Sequence, residues 1–211
     1  MYIVTKENIA HFVIVGAWNK YILTQEWVAN YLLTGEQNIQ MQIPVNMDAS
    51  LKFITNDLSL CVLKDRFELS VINRIEPVFR RATSIIRTMV RLLPHTPVSS
   101  FGINSTFYCS GEEVGDRINF VASDIGLLAA KEMPLQMQSI MRCVKMSDNC
   151  FLNLNLHRDE NTQEVIFDFN YNYNLRSLPE VSSILGEDDD ILLRKRDNIL
   201  SILKDVYGFI E

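Results

Sequence analysis

The segment Val165–Asn174, VIFDFNYNYN, decides how this chain folds. Aromatic residues occupy every second position from Phe167 to Tyr173, and polar residues occupy the positions between them. A period of two places the two sets on opposite faces of a β-strand. The pattern therefore predicts a strand with one buried, aromatic face. The polar residues of its other face are Asp168, Asn170, Asn172 and Asn174.

The preceding segment Phe151–His157 alternates in the same way, with leucine on one face and asparagine on the other. The polar loop 158–164 joins the two segments, which predicts an antiparallel pair. Asparagine is depleted in strands, so its accumulation on one face needs an explanation. We interpret this face as a neutral hydrogen-bonding surface for a partner; the alternative is a solvated face that resists aggregation. The candidate partner-binding residues are Asn153, Asn155, Asn170, Asn172 and Asn174.

The rest of the chain also divides into strands and helices. Apolar or alternating segments predict strands at His11–Trp18, Asn38–Asn46, Val98–Cys109 and Met137–Met146, and two or three short strands within Leu51–Ile72. Capping residues and helical spacing predict helices after Thr24, from Pro77 to before Pro94, at Asp124–Glu132 and at Ile191–Tyr207. The residues expected to face inward in the last helix are Leu192, Ile199, Ile202, Leu203 and Val206.

The order strand, helix, several strands and long helix occurs twice. We therefore predict a single α+β domain, 1–211, whose antiparallel sheet is built from two similar strand–helix–multistrand–helix halves, 10–94 and 98–208. Each long helix has a wide apolar stripe, so both long helices are expected on one face of the sheet. This element order resembles the TATA-binding-protein-like saddle, and the resemblance carries over no binding residues.

Two further blocks carry a second resemblance. WNKYILTQEWVANYLL (18–33) and LPHTPVSSFGIN (93–104) are similar to segments of an uncharacterised family of small bacterial proteins. The resemblance implies a bacterial or prophage origin, and it implies no activity.

Charge is distributed unevenly along the chain. The 20 basic and 26 acidic residues give a net charge of −6. Residues 1–95 carry 10 basic and 8 acidic residues, and residues 96–211 carry 10 and 18. An acidic chain repels a phosphate backbone, which disfavours nucleic acid as a partner. Arg80, Arg87 and Arg91 form a possible basic patch on one helix; the alternative is a solvated face that balances the acidic half.

Local chemical motifs are missing from the sequence. His11, His95 and His157 have no second ligand at metal-site spacing, and no phosphate-binding loop or nucleophile motif occurs. We therefore expect no catalytic residue, metal or cofactor. The acidic run Glu187–Asp190 is expected to cap the following helix rather than to bind a metal. Cys61, Cys109 and Cys143 are expected to be core residues.

No secretory signal or membrane span is evident, so we expect a cytoplasmic protein. The sequence favours a non-catalytic binding or assembly protein that acts through a protein partner or through self-association as a homo-oligomer. A nucleic-acid-binding saddle is the first alternative, and an enzyme with a dispersed active site is the second.

Overall fold

The computed structural model describes residues 7–42, 50–109, 118, 131, 137–159 and 164–208. These residues form one sheet of nine strands and four helices. The strands are β1 (Glu7–Gly16), β2 (Gln40–Gln42), β3 (Leu51–Ile54), β4 (Leu58–Val62), β5 (Arg66–Val71), β6 (Val98–Cys109), β7 (Met137–Lys145), β8 (Cys150–Asp159) and β9 (Val165–Asn174). The helices are α1 (Gln25–Tyr31), α2 (Glu76–Leu92), α3 (Glu180–Leu185) and α4 (Ile191–Tyr207).

The strands lie in the order β2-β3-β4-β5-β1-β6-β9-β8-β7, and every neighbouring pair is antiparallel. The prediction of a mixed α+β fold with a large antiparallel sheet is therefore confirmed. The predicted helix Asp124–Glu132, apart from Lys131, lies outside the described residues, as does the part of the predicted strand Asn38–Asn46 that follows Gln42.

Most predicted elements form close to the expected bounds. The predicted segment Leu51–Ile72 forms the three strands β3, β4 and β5. The first strand ends at Gly16 rather than Trp18, because the backbone there turns to bond with the segment before β6: Ala17 donates from its N–H to the Pro97 carbonyl at 2.9 Å. The short helix α3 was not predicted; it has only six residues and no side-chain cap.

The ends of the helices follow from their capping residues. The hydroxyl of Thr24 accepts a hydrogen bond from the N–H of Trp27, which starts α1 as predicted. Gly208 ends α4 in a left-handed conformation, with φ 72°. Val206, which the sequence placed inward, is 68% exposed. The buried stripe instead continues from Leu203 to Tyr207, which packs edge-on against Phe167.

The two faces of the sheet differ in composition. We call the face that carries the aromatic residues the helix face, because α4 contacts it through Tyr207 and because α2 packs against both β5 and α4. A line of rings crosses its centre: Phe12 stacks on Phe101 at 5.6 Å, and Phe101 lies 6.1 Å from Tyr173. Burial of each such ring contributes about 1.5–3 kcal/mol. The apolar core therefore lies between the sheet and the helices.

The cysteines lie in different environments. Cys109 and Cys150 are buried, Cys61 is half-buried, and Cys143 is exposed on β7. The prediction that Cys143 lies in the core is wrong, because β7 is the last strand of the sheet order and its burial pattern is almost wholly exposed. In the described part of the chain, no helix is long and apolar enough to cross a membrane.

Candidate functional site on the polar face

The polar face is the side of the sheet opposite the aromatic core. Strand pairing places one row of polar side chains across seven strands of this face. From β4 to β7 the row consists of Ser59, Ser70, His11, Asn104, Asn170, Asn153 and Cys143. A neighbouring row contains Thr106, Asp168, Asn155 and Met141. The alternation predicted for β8 and β9 is confirmed, and the polar set extends across the sheet beyond these two strands.

Three asparagines in the first row form a hydrogen-bonded ladder. Asn153 donates from Nδ2 to Asn170 Oδ1 at 3.2 Å, and Asn170 donates from Nδ2 to Asn104 Oδ1. Gly102 makes room for the ladder, since a Cβ there would lie 3.1 Å from Asn170 Nδ2. The amides are therefore partly engaged with one another, and they fix the positions of the groups around them.

Asp168 holds a second group of side chains. Its Oδ1 accepts a hydrogen bond from the Thr106 hydroxyl at 2.6 Å, and its Oδ2 lies 3.3 Å from Nε2 of His157. Nε2 of His157 therefore faces the carboxylate, and Nδ1 is the ring nitrogen that points away from it. Asn155 lies directly across from Asp168 in the strand pairing.

Three buried polar atoms of this face have no hydrogen-bond partner in the described part of the chain: His11 Nδ1, Asn155 Oδ1 and His157 Nδ1. The pKa of His11 is lowered, chiefly by burial, while the carboxylates of Glu68 and Asp168 oppose that shift. His11 is therefore neutral near pH 7. Asn155 and His157 lie on β8 and form a patch with unused hydrogen-bonding capacity, whereas His11 lies on β1, which β6 and β9 separate from β8.

The five asparagines predicted as binding residues do not have equal environments. Asn153, Asn155, Asn170 and Asn172 are half-buried, and Asn174 is exposed at the end of β9. Sequence reasoning did not assign Asn104, His11, Thr106 or His157 to the same surface. For His11, Asn104 and Thr106 the sequence signal was the alternation of polar and apolar residues in β1 and β6. In β1 this alternation is hard to recognise, because apolar residues occur on both faces of the strand.

The possible basic patch on α2 is largely occupied by the chain's own carboxylates. Arg80 lies 2.7 Å from Asp190 and 2.8 Å from Glu76. Arg87 donates to the carbonyl oxygens of Gly186 and Asp188 and to Oδ1 of Asp189. Arg91 is exposed. Arg80 and Arg87 therefore connect α2 to the turn before α4.

The acidic run before α4 does not cap the helix in the predicted way. Asp190 is the N-cap residue, and its side chain makes no capping hydrogen bond. Asp188 instead pairs with Arg194 at 2.5 Å, and Asp189 pairs with Arg87 at 3.0 Å. The prediction of side-chain capping is wrong, because nearby guanidinium groups offer charged donors and bind carboxylates more strongly than backbone N–H groups do.

A cavity of about 330 Å³ opens at one end of the sheet. It is mainly apolar, and its lining includes Trp18, Ile22, Leu92, Leu93 and His95. Residues of the segments 18–33 and 93–104 both contribute to its wall. Among the residues that the structure describes, no group of three His, Cys, Asp or Glu residues is placed to hold a metal ion.

No family model matches this chain, and no curated protein is significantly similar to it.

Proposed function

We propose that this protein is a non-catalytic binding or assembly protein, which holds a polypeptide partner, or a second copy of itself, on the polar face. The observation that carries the proposal is the patch of unpartnered atoms at Asn155 and His157 on β8, with a further unpartnered atom at His11, three strands away on the same face. An unsatisfied buried polar atom costs about 1–3 kcal/mol. Solvent does not reach these atoms in the free chain, so a partner that supplies N–H or O–H donors would recover this energy only after the half-buried side chains of Asn155 and His157 rotate toward it.

The chemistry of the patch favours donors over anions. Asn155 Oδ1 is an acceptor, and the carboxylate of Asp168 lies across from Asn155 and 3.3 Å from His157 Nε2. Backbone amides and the side chains of Lys, Arg, Ser and Asn supply donors, so a polypeptide satisfies the patch. A nucleic-acid backbone presents phosphate oxygens, which Asp168 repels. Of the arginines on α2, Arg80 and Arg87 are engaged with carboxylates of the chain itself.

Nucleic-acid binding stays an alternative with a simple test. Counterion release lowers the logarithm of the affinity by about 0.9 per neutralised phosphate for each tenfold rise in salt. If the protein is a nucleic-acid-binding saddle, oligonucleotide binding at low ionic strength must be detectable and must weaken steeply with salt. If binding is absent at low ionic strength, the saddle alternative fails.

An enzymatic role has less support from the Asp168 cluster. In a nucleophile–base–carboxylate arrangement, the hydroxyl donates a hydrogen bond to one imidazole nitrogen, and the N–H of the other imidazole nitrogen donates to the carboxylate. Here the Thr106 hydroxyl donates to Asp168 directly, and Nδ1 of His157 is inaccessible to solvent. The cluster is therefore arranged to hold the two side chains in place rather than to activate a nucleophile.

We also propose that the domain, 1–211, consists of the two similar halves 10–94 and 98–208, which meet at the β1–β6 pair. The sheet order supports this arrangement, because β5-β1 on one side of the centre is matched by β6-β9 on the other. The halves would then give the polar face a saddle-like form that two partner segments can occupy.

The proposal is tested with the double variant Asn155→Lys/Asn172→Lys. Its matched control is Asn30→Lys/Asn198→Lys, which adds the same charge at exposed positions of α1 and α4. We expect both variants to melt near the parent temperature. Each protein is purified from the native host, and retained polypeptides are identified by mass spectrometry and then titrated as purified components.

A polypeptide that the parent and control retain and the polar-face variant loses supports the proposal. If all three proteins retain the same partners with the same affinity, the polar face is not the binding surface. Nucleic acid that co-purifies and is released by salt would favour the alternative.

A further inference from the structure

The strand β7 is an unusually accessible end of the sheet. Within the described residues it pairs only with β8, and it is nine residues long, whereas β2 at the other end has three. A long edge strand presents backbone N–H and C=O groups that can pair with another strand, and natural proteins shorten or cover such edges. The backbone groups along the free edge of β7 are therefore available to pair with a further strand.

The side chains of β7 are more apolar than those of a protected edge. Met141 is 78% exposed, and Met137 and Val144 are also exposed. Its two charged residues, Arg142 and Lys145, lie in its second half, and the segment Met137–Met141 has none. Apolar exposure along an edge adds side-chain burial to the backbone bonds that a paired strand would make.

We propose that β7 pairs antiparallel with β7 of a second copy of this chain, with Met141 on the two-fold axis. The contact is made by the backbone edge of β7, which borders the polar face at Met141 and Cys143, and neither proposal rests on the other. The register centred on Met141 pairs all nine residues of each strand. It places Arg142 opposite the partner's Ile140 and Lys145 opposite the partner's Met137.

The charge pattern disfavours the neighbouring register centred on Arg142, and the one centred on Ile140 pairs only seven residues of each strand. A shift of one residue toward the C-terminus would set Arg142 directly against the partner's Arg142, and like charges opposite one another destabilise a sheet. In the proposed register the partner's Lys145 lies opposite Met137, whose neighbour on β8 is Asp159. The ammonium group of the partner's Lys145 and the carboxylate of Asp159 then lie in the same cross-strand row.

A second copy fits the edge geometrically. Identical strands related by a two-fold axis make an isologous, closed contact, which does not continue into fibres. The axis runs perpendicular to the sheet, so the polar faces of both copies point to the same side. The pairing would therefore join two nine-stranded sheets edge to edge and double the area of the polar face.

A disulfide test distinguishes this register from others. Directly opposed residues in an antiparallel pair have Cα atoms about 4.5–5.5 Å apart, within the range that a disulfide spans. The variant Met141→Cys/Cys143→Ser is expected to form a cross-linked dimer on mild oxidation. The parent Cys143 is expected not to cross-link, because four residues of strand, about 14 Å, separate it from the partner's Cys143.

The oligomeric state supplies the second test. Sedimentation of the parent at about 100 μM, a concentration suited to a modest interface, is expected to give twice the mass of the 24.3 kDa chain. Met141→Lys is expected to shift the dissociation constant at least tenfold toward monomer. Val206→Lys, which alters an exposed apolar residue of α4, is expected to leave it unchanged. A monomeric parent overturns the proposal. A parent dimer whose dissociation constant is unchanged by Met141→Lys also overturns it. The same holds if the parent cross-links through Cys143 and the variant Met141→Cys/Cys143→Ser does not cross-link.

Discussion

Replacing Arg87 with methionine tests whether the arginines of α2 are structural. The guanidinium donates from Nη1 to the Gly186 carbonyl and from Nη2 to the Asp188 carbonyl, both at 2.8 Å. Nη2 also donates to Asp189 Oδ1 at 3.0 Å. Methionine keeps the helix propensity and much of the apolar stem, so the substitution removes mainly these bonds.

The expected loss can be worked out from the contacts. A hydrogen bond from a charged donor contributes about 1.5–3 kcal/mol, and less where water can replace the donor. Arg87 is 32% exposed, so we place the two carbonyl bonds together at about 2 kcal/mol. The partly exposed ion pair with Asp189 adds less than about 1 kcal/mol. For a chain of this length a loss of about 2 kcal/mol lowers Tm by roughly 4–8 °C.

Thermal unfolding followed by circular dichroism measures this loss, and Arg91→Met is the control. Arg91 lies on the same helix and is exposed, so its loss should change the free energy of unfolding by less than about 0.5 kcal/mol. Most of the difference should persist at about 1 M salt, where the screening length is near 3 Å, because carbonyl bonds are not screened as ion pairs are. Equal Tm values for the two variants would refute the structural role of Arg87.

Three further outcomes follow from the packing and from one titration. In Gly16→Ala, the new Cβ would lie 2.4 Å from the Pro97 carbonyl oxygen; we expect urea unfolding to show a loss of about 1–3 kcal/mol, and an unchanged midpoint would contradict the close approach. Leu203→Asp should lose more than about 3 kcal/mol or fail to fold, whereas Val206→Asp should unfold like the parent. Burial lowers the pKa of the His11 imidazole below 6.5, so on acidification the unfolded chain is protonated at this residue before the folded chain is. The free energy of unfolding should therefore fall as pH drops below about 6.5. Tm measured against pH should show this fall in the parent and a smaller fall in His11→Gln.

The elements of this fold are accessible from sequence where periodicity is strong. The bounds of β6, β9 and α4 agree with the predicted segments: the alternation of β9 and the helical spacing of α4 run without a break, and β6 keeps apolar residues on one face except at Ser105. The short helix α3 has no such run, and its six residues provide fewer than two turns of spacing. Local pattern is sufficient only when an element is long enough to repeat it.

The candidate site is less accessible, because its contacts cross between strands. His157 and Asp168 are eleven positions apart in sequence, and the antiparallel β8–β9 pairing brings them together. The ladder from Asn153 to Asn104 requires the order of β8, β9 and β6, which alternation alone does not give. Likewise, the sequence presents the arginines of α2 as a patch, and only the fold brings Asp189 and Asp190 next to them.

The place of β1 in the sheet affects how the chain is synthesised. His11 pairs with Asn104, which follows it by 93 positions in the sequence. The other cross-strand neighbour of His11 is Ser70 on β5, which is synthesised before Asn104. At about 5–20 residues per second, a ribosome needs roughly 5–20 s to extend the chain from one central strand to the other. During that interval the first strands can pair among themselves, but the side of β1 that β6 will occupy stays open. Premature contacts between nascent chains at this open strand would compete with folding, so slower translation between positions 72 and 98 should lower the yield of folded protein.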